Sequence, residues 1–180
     1  MNKIEITPIS QKEISACLAI YKPFVTDSIV SFELDSPSEE EFANRVESIT
    51  RKYPWFVAKE SNEVIGYAYA SAYRDRLAYQ WNVEVSVYVH SHHKNKKVGT
   101  LLYNKLFEEL RKIGICKAFA VIALPNDASV SFHKSFGFNS FATFKNVGYK
   151  FEAWHDVHWM EFQIQLPKQP TFLSTISSLE

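Results

Sequence analysis

The stretch VEVSVYVHSHHKNKKVGTLLYNKLFEEL, Val83 to Leu110, decides the fold. Its first seven residues alternate. Val85, Val87 and Val89 share one face and Glu84, Ser86 and Tyr88 the other, the two-residue period of a strand. From Val98 the spacing changes, and Val98, Leu101, Leu102, Leu106, Leu110 and Ile113 recur as on an amphipathic helix. Between the two lies HHKNKKVGT, His92 to Thr100. A helix N-terminus carries unpaired N–H groups and partial positive charge, so a loop feeding into one can hold a pyrophosphate with backbone donors. Such loops usually carry several glycines. This one has Gly99 and three lysines, Lys94, Lys96 and Lys97. It reads either as a phosphate cradle built another way or as a solvated basic turn. Glycine matters where φ must be positive or where a Cβ would collide. Lys97 therefore serves in a cradle only if its position needs neither.

Outward from this centre, a helix–strand alternation is legible. Lys3 to Thr7 reads as a strand. Gln11 to Tyr21 reads as a helix, with Pro23 ending it or lying just past it. Ser36 or Ser38 caps a second helix in DSPSEEEFANRVESI, with acids in its first turn. Trp55 to Lys59 and Val64 to Ala72 form an antiparallel hairpin across the turn SNE. Past the central helix, Gly114 fits a C-terminal cap. Ala118 to Leu124 reads as a strand buried on both faces. PNDAS opens a short helix ending at Gly137, and Phe138 to Val147 and Trp154 to Leu166 are two final strands. The order β-α-α-β-β-β-α-β-α-β-β describes an α+β or mixed α/β layout around one sheet. The 180 residues suit one domain, 1–166, followed by a polar extension, 167–180.

Lys+Arg and Asp+Glu are both 20, which argues against a module whose main partner is nucleic acid. No apolar signal core or membrane-length run is present, so a cytoplasmic, soluble protein is expected. Cys17 and Cys116 lie far apart and read as reduced, partly buried thiols. No metal site is expected. His92 and His93 are adjacent, and His155 and His158 point to opposite faces of a strand.

The motifs SVYV, the basic loop, AVIALPNDASVSFHKSFGF (Ala120–Phe138) and GYK…WHDV (Gly148–Val157), with SIVSFE, YPWFVAKESNEVIGYAYAS and RDRLAYQWNVEVSVYV, occur in order. In this the chain resembles the GNAT acyltransferases, and within them the phosphinothricin and methionine sulfoximine N-acetyltransferases, over roughly Ile4 to Leu166, the span of one domain. The resemblance implies a GNAT-type acyl-CoA N-acyltransferase fold, a central mixed, mostly antiparallel sheet flanked by helices. It implies acetyl-CoA as co-substrate, with Val87, Tyr88 and Val89 facing the pantetheine. Lys94, Asn95, Lys96, Lys97, Val98, Gly99 and Thr100 would hold the pyrophosphate, Lys97 standing where the family pattern has its inner glycine. Asn126 would bond the pantetheine amide, and Ser129 either holds the cofactor or is simply a first-turn helix residue.

Amide formation from an amine and a thioester needs a proton acceptor, donors for the growing charge on oxygen and a proton for the departing thiolate. Glu84 is the candidate base; its alternative is a strand-end charge paired with an arginine. A backbone N–H near Val87 is the expected oxyanion donor. His133 stands where the superfamily often has a tyrosine, either as the acid for the CoA sulfur or as a packing and hydrogen-bonding residue. Arg74, Asp75 and Arg76, with Glu84, Val85 and Ser86, would line a pocket for a small amino acid; the alternative is a solvated charged loop. Lys150 and Trp154 would close the pocket or form a subunit contact, and Phe32 and Glu33 would cap it.

The expected activity is direct acetyl transfer in a ternary complex, since neither cysteine falls in a family catalytic position, to a small amino acid such as phosphinothricin or methionine sulfoximine. A homodimer is implied. The alternatives are another acceptor (polyamine, arylamine or protein N-terminus), against which Arg74 and Arg76 argue for cationic acceptors, and a non-catalytic acyl-CoA-binding protein.

Overall fold

The structure, a computed structural model, describes residues 3–93 and 96–166. Lys94, Asn95 and the 167–180 extension lie outside the described residues. In chain order the elements are β1 (Ile4–Pro8), α1 (Ile14–Thr26), α2 (Glu39–Thr50), β2 (Trp55–Glu60), β3 (Glu63–Ala72), β4 (Asn82–Val89), α3 (Val98–Lys112), β5 (Lys117–Leu124), α4 (Asp127–Phe136), β6 (Asn139–Lys150) and β7 (Ala153–Gln163). The strands form one sheet in the order β1-β2-β3-β4-β5-β7-β6. Neighbours pair antiparallel except β4 and β5, which are parallel because α3 crosses between them. The mixed, mostly antiparallel sheet flanked by helices is as expected.

The period-two pattern of β4 sorts its side chains onto two cores. Val83 and Val85 face α3, whose Leu102, Leu106 and Leu110 are fully buried together with Met160 of β7. On the other face, Cys17, Ile20 and Val25 of α1 and Phe42 and Val46 of α2 cover Trp55, Val57 and Tyr67, with Tyr88 packed against them. Each such leucine, fully withdrawn from water, is worth about 1.5–3 kcal/mol. Ser38 caps α2 reciprocally with Glu41: each supplies an oxygen to the other's backbone N–H. The Ser61–Asn62 turn joins β2 and β3, both residues at positive φ, and Glu60 faces Glu63 across it.

Several boundaries differ from the sequence reading. Pro23 neither ends nor follows α1 but lies inside it, and the helix continues to Thr26. Proline removes one donor, and burial of Tyr21 and Val25 on either side of it outweighs that loss. Val121 of β5 is 40% exposed, so this strand is not covered on both faces. Strand β6 runs on to Lys150, and β7 stops at Gln163. The two meet at Phe151 and Glu152, both at positive φ. Neither residue advertises a turn, because the residues expected there are glycine, asparagine and aspartate.

The entry to α1 is tied to the sheet by charge. Glu13 accepts hydrogen bonds from Lys59 Nζ at 2.7 Å, Ser10 N–H at 2.8 Å and Ser10 Oγ at 2.7 Å. The Lys59 bond, then that of Ser10, draws its carboxyl from 4.5 down to about 2. A carboxylate depressed in this way stabilises the fold above its unfolded pKa, and that contribution fades as pH falls through the folded value. Melts from pH 4.5 downward toward about 2 should therefore show wild type losing stability more steeply than Glu13→Gln. Parallel slopes would mean the ion pair contributes nothing.

Candidate active site

Strands β4 and β5 pair only from Asn82–Lys117 to Glu84–Phe119, although they run on to Val89 and Leu124. On their outer sides both stay paired, β4 with β3 and β5 with β7 along its whole length. The inner edges therefore part and leave a cleft lined by Val85, Ser86 and Val87 on one wall and Ala120 to Ala123 on the other. Asn126, Ser129, His133 and Tyr103 close its far side. A cleft between two strand edges exposes backbone donors and acceptors that must find partners, and an extended chain carrying amides supplies them in the manner of an added strand.

The mouth of α3 opens nearby. Lys97 is its N-cap residue, at φ +58° and ψ +21°, and gives no side-chain cap. By contrast Ser38 caps α2 and Asn126 caps α4. The N-cap side chain thus takes up none of the first-turn N–H groups of α3, and such a helix start can receive an anion. The sequence-based condition on Lys97 is not met: its position does require positive φ, and a lysine occupies it at a cost of about 1–2 kcal/mol. Its side chain is exposed. Lys96 Nζ is held by Glu60 Oε2 at 2.7 Å. Gly99, the second residue of α3, lies against Phe132, whose ring leaves little room for a Cβ. Of the predicted loop, Lys96 to Thr100 come together at this helix start, and Lys94 and Asn95 fall outside the described residues.

Glu84 sits where the strands separate, facing Phe119 across the last parallel pair. Burial pushes its carboxyl above the ordinary carboxylate range, and Arg74, 3.5 Å away, partly offsets this. Glu84 is thus paired with an arginine, and its carboxyl is raised by burial. Arg74 stacks on Tyr73 at 4.4 Å and lies 5.8 Å from Trp159. With Asp75, Arg76, Tyr73 and Tyr79 it borders a depression beside Glu84. Ser86 is hydrogen-bonded to Tyr69.

His133 is 5% exposed. Its Nδ1 lies 2.8 Å from the Ser129 carbonyl oxygen, which can only accept, so Nδ1 carries the proton. Its Nε2, 2.9 Å from Tyr103 Oη, then accepts from that hydroxyl. Burial lowers the ring's pKa, which keeps it neutral, and holds Tyr103 well above the ordinary tyrosine range as an intact O–H. Tyr103 is the functional candidate that the sequence reading missed. Its signal was a polar tip inside the apolar stripe of α3. Asn126 Oδ1 is used by Ser129 N–H at 3.1 Å. Val30, from the loop after α1, also reaches the cleft and was not foreseen.

Cys17 and Cys116 are free and buried, and burial raises Cys17 to about 12. Among the described residues no group of three or more His, Cys, Asp or Glu side chains is placed to hold a metal, and no helix is long and apolar enough to cross a membrane.

Residues 6–159 match the acetyltransferase (GNAT) domain. A phosphinothricin N-acetyltransferase of Streptomyces viridochromogenes is 34% identical over 167 residues, spanning 93% of this chain and 91% of its own. An L-methionine sulfoximine/L-methionine sulfone acetyltransferase of Salmonella typhimurium is 38% identical over 112 residues, 62% of this chain and 66% of its own. The crystal structure of a phosphinothricin acetyltransferase from Sinorhizobium meliloti in complex with AcCoA superposes with a TM-score of 0.89 at 31% identity, covering 93% of each chain.

Replacing Lys97 with glycine should remove the left-handed strain of about 1–2 kcal/mol against a glycine entropy cost of about 0.5–1 kcal/mol. The expected result is a Tm gain of roughly 1–2 °C by thermal melting. A clear drop would show that the lysine side chain holds the turn.

Proposed function

The chain belongs to the GNAT acetyltransferase family, and from that premise we propose that it acetylates the amino group of a small amino acid of the phosphinothricin or methionine sulfoximine kind, by direct transfer from acetyl-CoA with Glu84 as general base. The observation that carries the reading is the position of Glu84. It stands at the point where β4 and β5 separate, with the arginine-bearing 74–76 loop at its side. Named relatives that act on those two compounds support the choice of acceptor.

In this reading acetyl-CoA is the co-substrate. Its pyrophosphate lies against the uncapped start of α3, where Lys96 and Lys97 add charge, and its pantetheine runs along the open edge of β4 at Val87, Tyr88 and Val89. The acceptor ammonium must lose a proton before its nitrogen has a lone pair to offer, and its reference pKa is near ~8–10. A carboxylate raised by burial is the better proton acceptor, directly or through one water. As the nitrogen bonds to the thioester carbon, charge gathers on oxygen, and a backbone N–H near Val87 on the unpaired strand edge receives it. The C–S bond then breaks. The thiolate takes up the proton that the acceptor nitrogen sheds as the amide forms, while His133, bound through Nδ1, and the Tyr103 hydroxyl, which donates to His133 Nε2, brace that side of the cleft. Arg74 and Arg76 suit an acceptor with a carboxylate and a second acidic or polar group. The buried state of both cysteines fits transfer without an acetyl-enzyme.

A homodimer belongs to the same reading. Strand β6 is the sheet edge, and Phe141, Phe144, Val147, Tyr149 and Trp154 of the β6–β7 pair are all at least half exposed.

Free thiol release from acetyl-CoA should be seen with phosphinothricin or methionine sulfoximine and should exceed that with spermidine or an arylamine. No release with any amine would leave the acyl-CoA-binding reading standing. Glu84→Gln should lower kcat by roughly 10²–10⁴ with acetyl-CoA affinity unchanged in calorimetry. In the pH profile of kcat, Arg74→Gln should move the acidic limb to higher pH, because Arg74 draws the Glu84 carboxyl down; an unmoved limb would remove Glu84 from the role of base.

A further inference from the structure

The segment between α1 and α2 supplies Val30 to the cleft, opposite Ser86 and Val87. Val30 and Phe32 remain 37% and 38% exposed, while α1 holds part of the segment: the Tyr21 and Ser31 hydroxyls lie 2.7 Å apart, and Ser28 Oγ donates to the Phe24 carbonyl at 2.9 Å. A second grip comes from the end of β6. Lys150 is 3% exposed. Its Nζ donates to the carbonyls of Val25 at 2.6 Å, Ser28 at 3.0 Å and Ser31 at 2.7 Å. An ammonium has three donors, and all three go to one stretch of backbone more than a hundred residues away in sequence. Two residues earlier, Gly148 lies under the Phe32 ring, and a Cβ there would overlap it. His155 Nε2, 2.9 Å from the Lys150 carbonyl oxygen, fixes the lysine's own backbone from β7. At the far end of the segment Glu33 is bound to Arg45 of α2 at 2.7 Å.

We infer that Gly148 and Lys150 are positioning residues: they clamp the Ser28–Glu33 segment as a wall of the acceptor side, so that selectivity for the amine is set partly from β6 and not from the Arg74 loop alone. The assignment of that wall to the acceptor rests on the function proposed above. The clamp itself rests on the contacts. Lys150 is buried and spent on carbonyls, so it holds the wall and is not itself a substrate-binding cation.

Two variants test this. Lys150→Met removes the donors. Gly148→Ala displaces the Phe32 ring, a side chain 38% exposed, and meets no backbone atom closer than that ring, which makes it the variant expected to keep the fold. In both, peptide-resolved hydrogen exchange should speed up over 28–33 by on the order of tenfold or more, with the β3 and β4 peptides unchanged. Acceptor KM should rise by on the order of tenfold while the acetyl-CoA Kd, by calorimetry, stays within about twofold. If Gly148→Ala leaves both the exchange of 28–33 and the acceptor KM at wild-type values, the clamp is refuted, whatever happens to Lys150→Met. Faster exchange with unchanged acceptor KM refutes the wall's role in selectivity. If wild type turns over no amine, the proposed function fails, and the exchange measurement still decides the clamp.

Discussion

Everything at the centre of this molecule follows from the early parting of two parallel strands. After three paired residues β4 and β5 diverge, yet each keeps its outer partner. Along their inner edges, in the middle of the sheet, main-chain groups face a gap. The crossover helix α3 packs over one face of the sheet, and its N-terminus opens beside β4. A polyamide chain ending in a diphosphate meets both features at once: amides for the strand edge and negative charge for the helix start.

Charge in this site is placed sparingly. Glu84 is shifted upward by burial and held back by Arg74, two opposed effects on one carboxyl. His133 is neutral and directs Tyr103. Lysines at the loop provide diffuse cationic character in place of glycine, and Lys97 accepts a left-handed backbone to do so. The side chain of this left-handed residue is exposed.

The acceptor side, as proposed, is assembled from pieces remote in sequence. Arg74 comes from the loop between β3 and β4, and the aromatic surface beneath it from Tyr73 and Trp159. Val30 comes from the loop after α1, which is itself fastened by Lys150. A lysine buried on three carbonyls is expensive to desolvate. It persists because the same contacts satisfy carbonyls at the end of α1, including that of Val25.

The sequence by itself determined the order of elements, the inward face of β4, a serine cap before α2 at either Ser36 or Ser38, the cap at Gly137 and the helix start at Val98. These depend on residues within one or two turns of one another, where periodicity and local hydrogen bonding carry the signal. The resemblance then brought Glu84, Asn126 and His133 forward as candidates. Only the tertiary structure decided that Pro23 stays inside a helix and that Phe151 and Glu152 make a turn. It alone showed that Lys97 is left-handed, that Tyr103 meets His133 and that Lys150 reaches Val25. Each of these depends on a neighbour brought close by packing, and a one-dimensional pattern does not encode which distant carbonyl, ring or hydroxyl will be that neighbour.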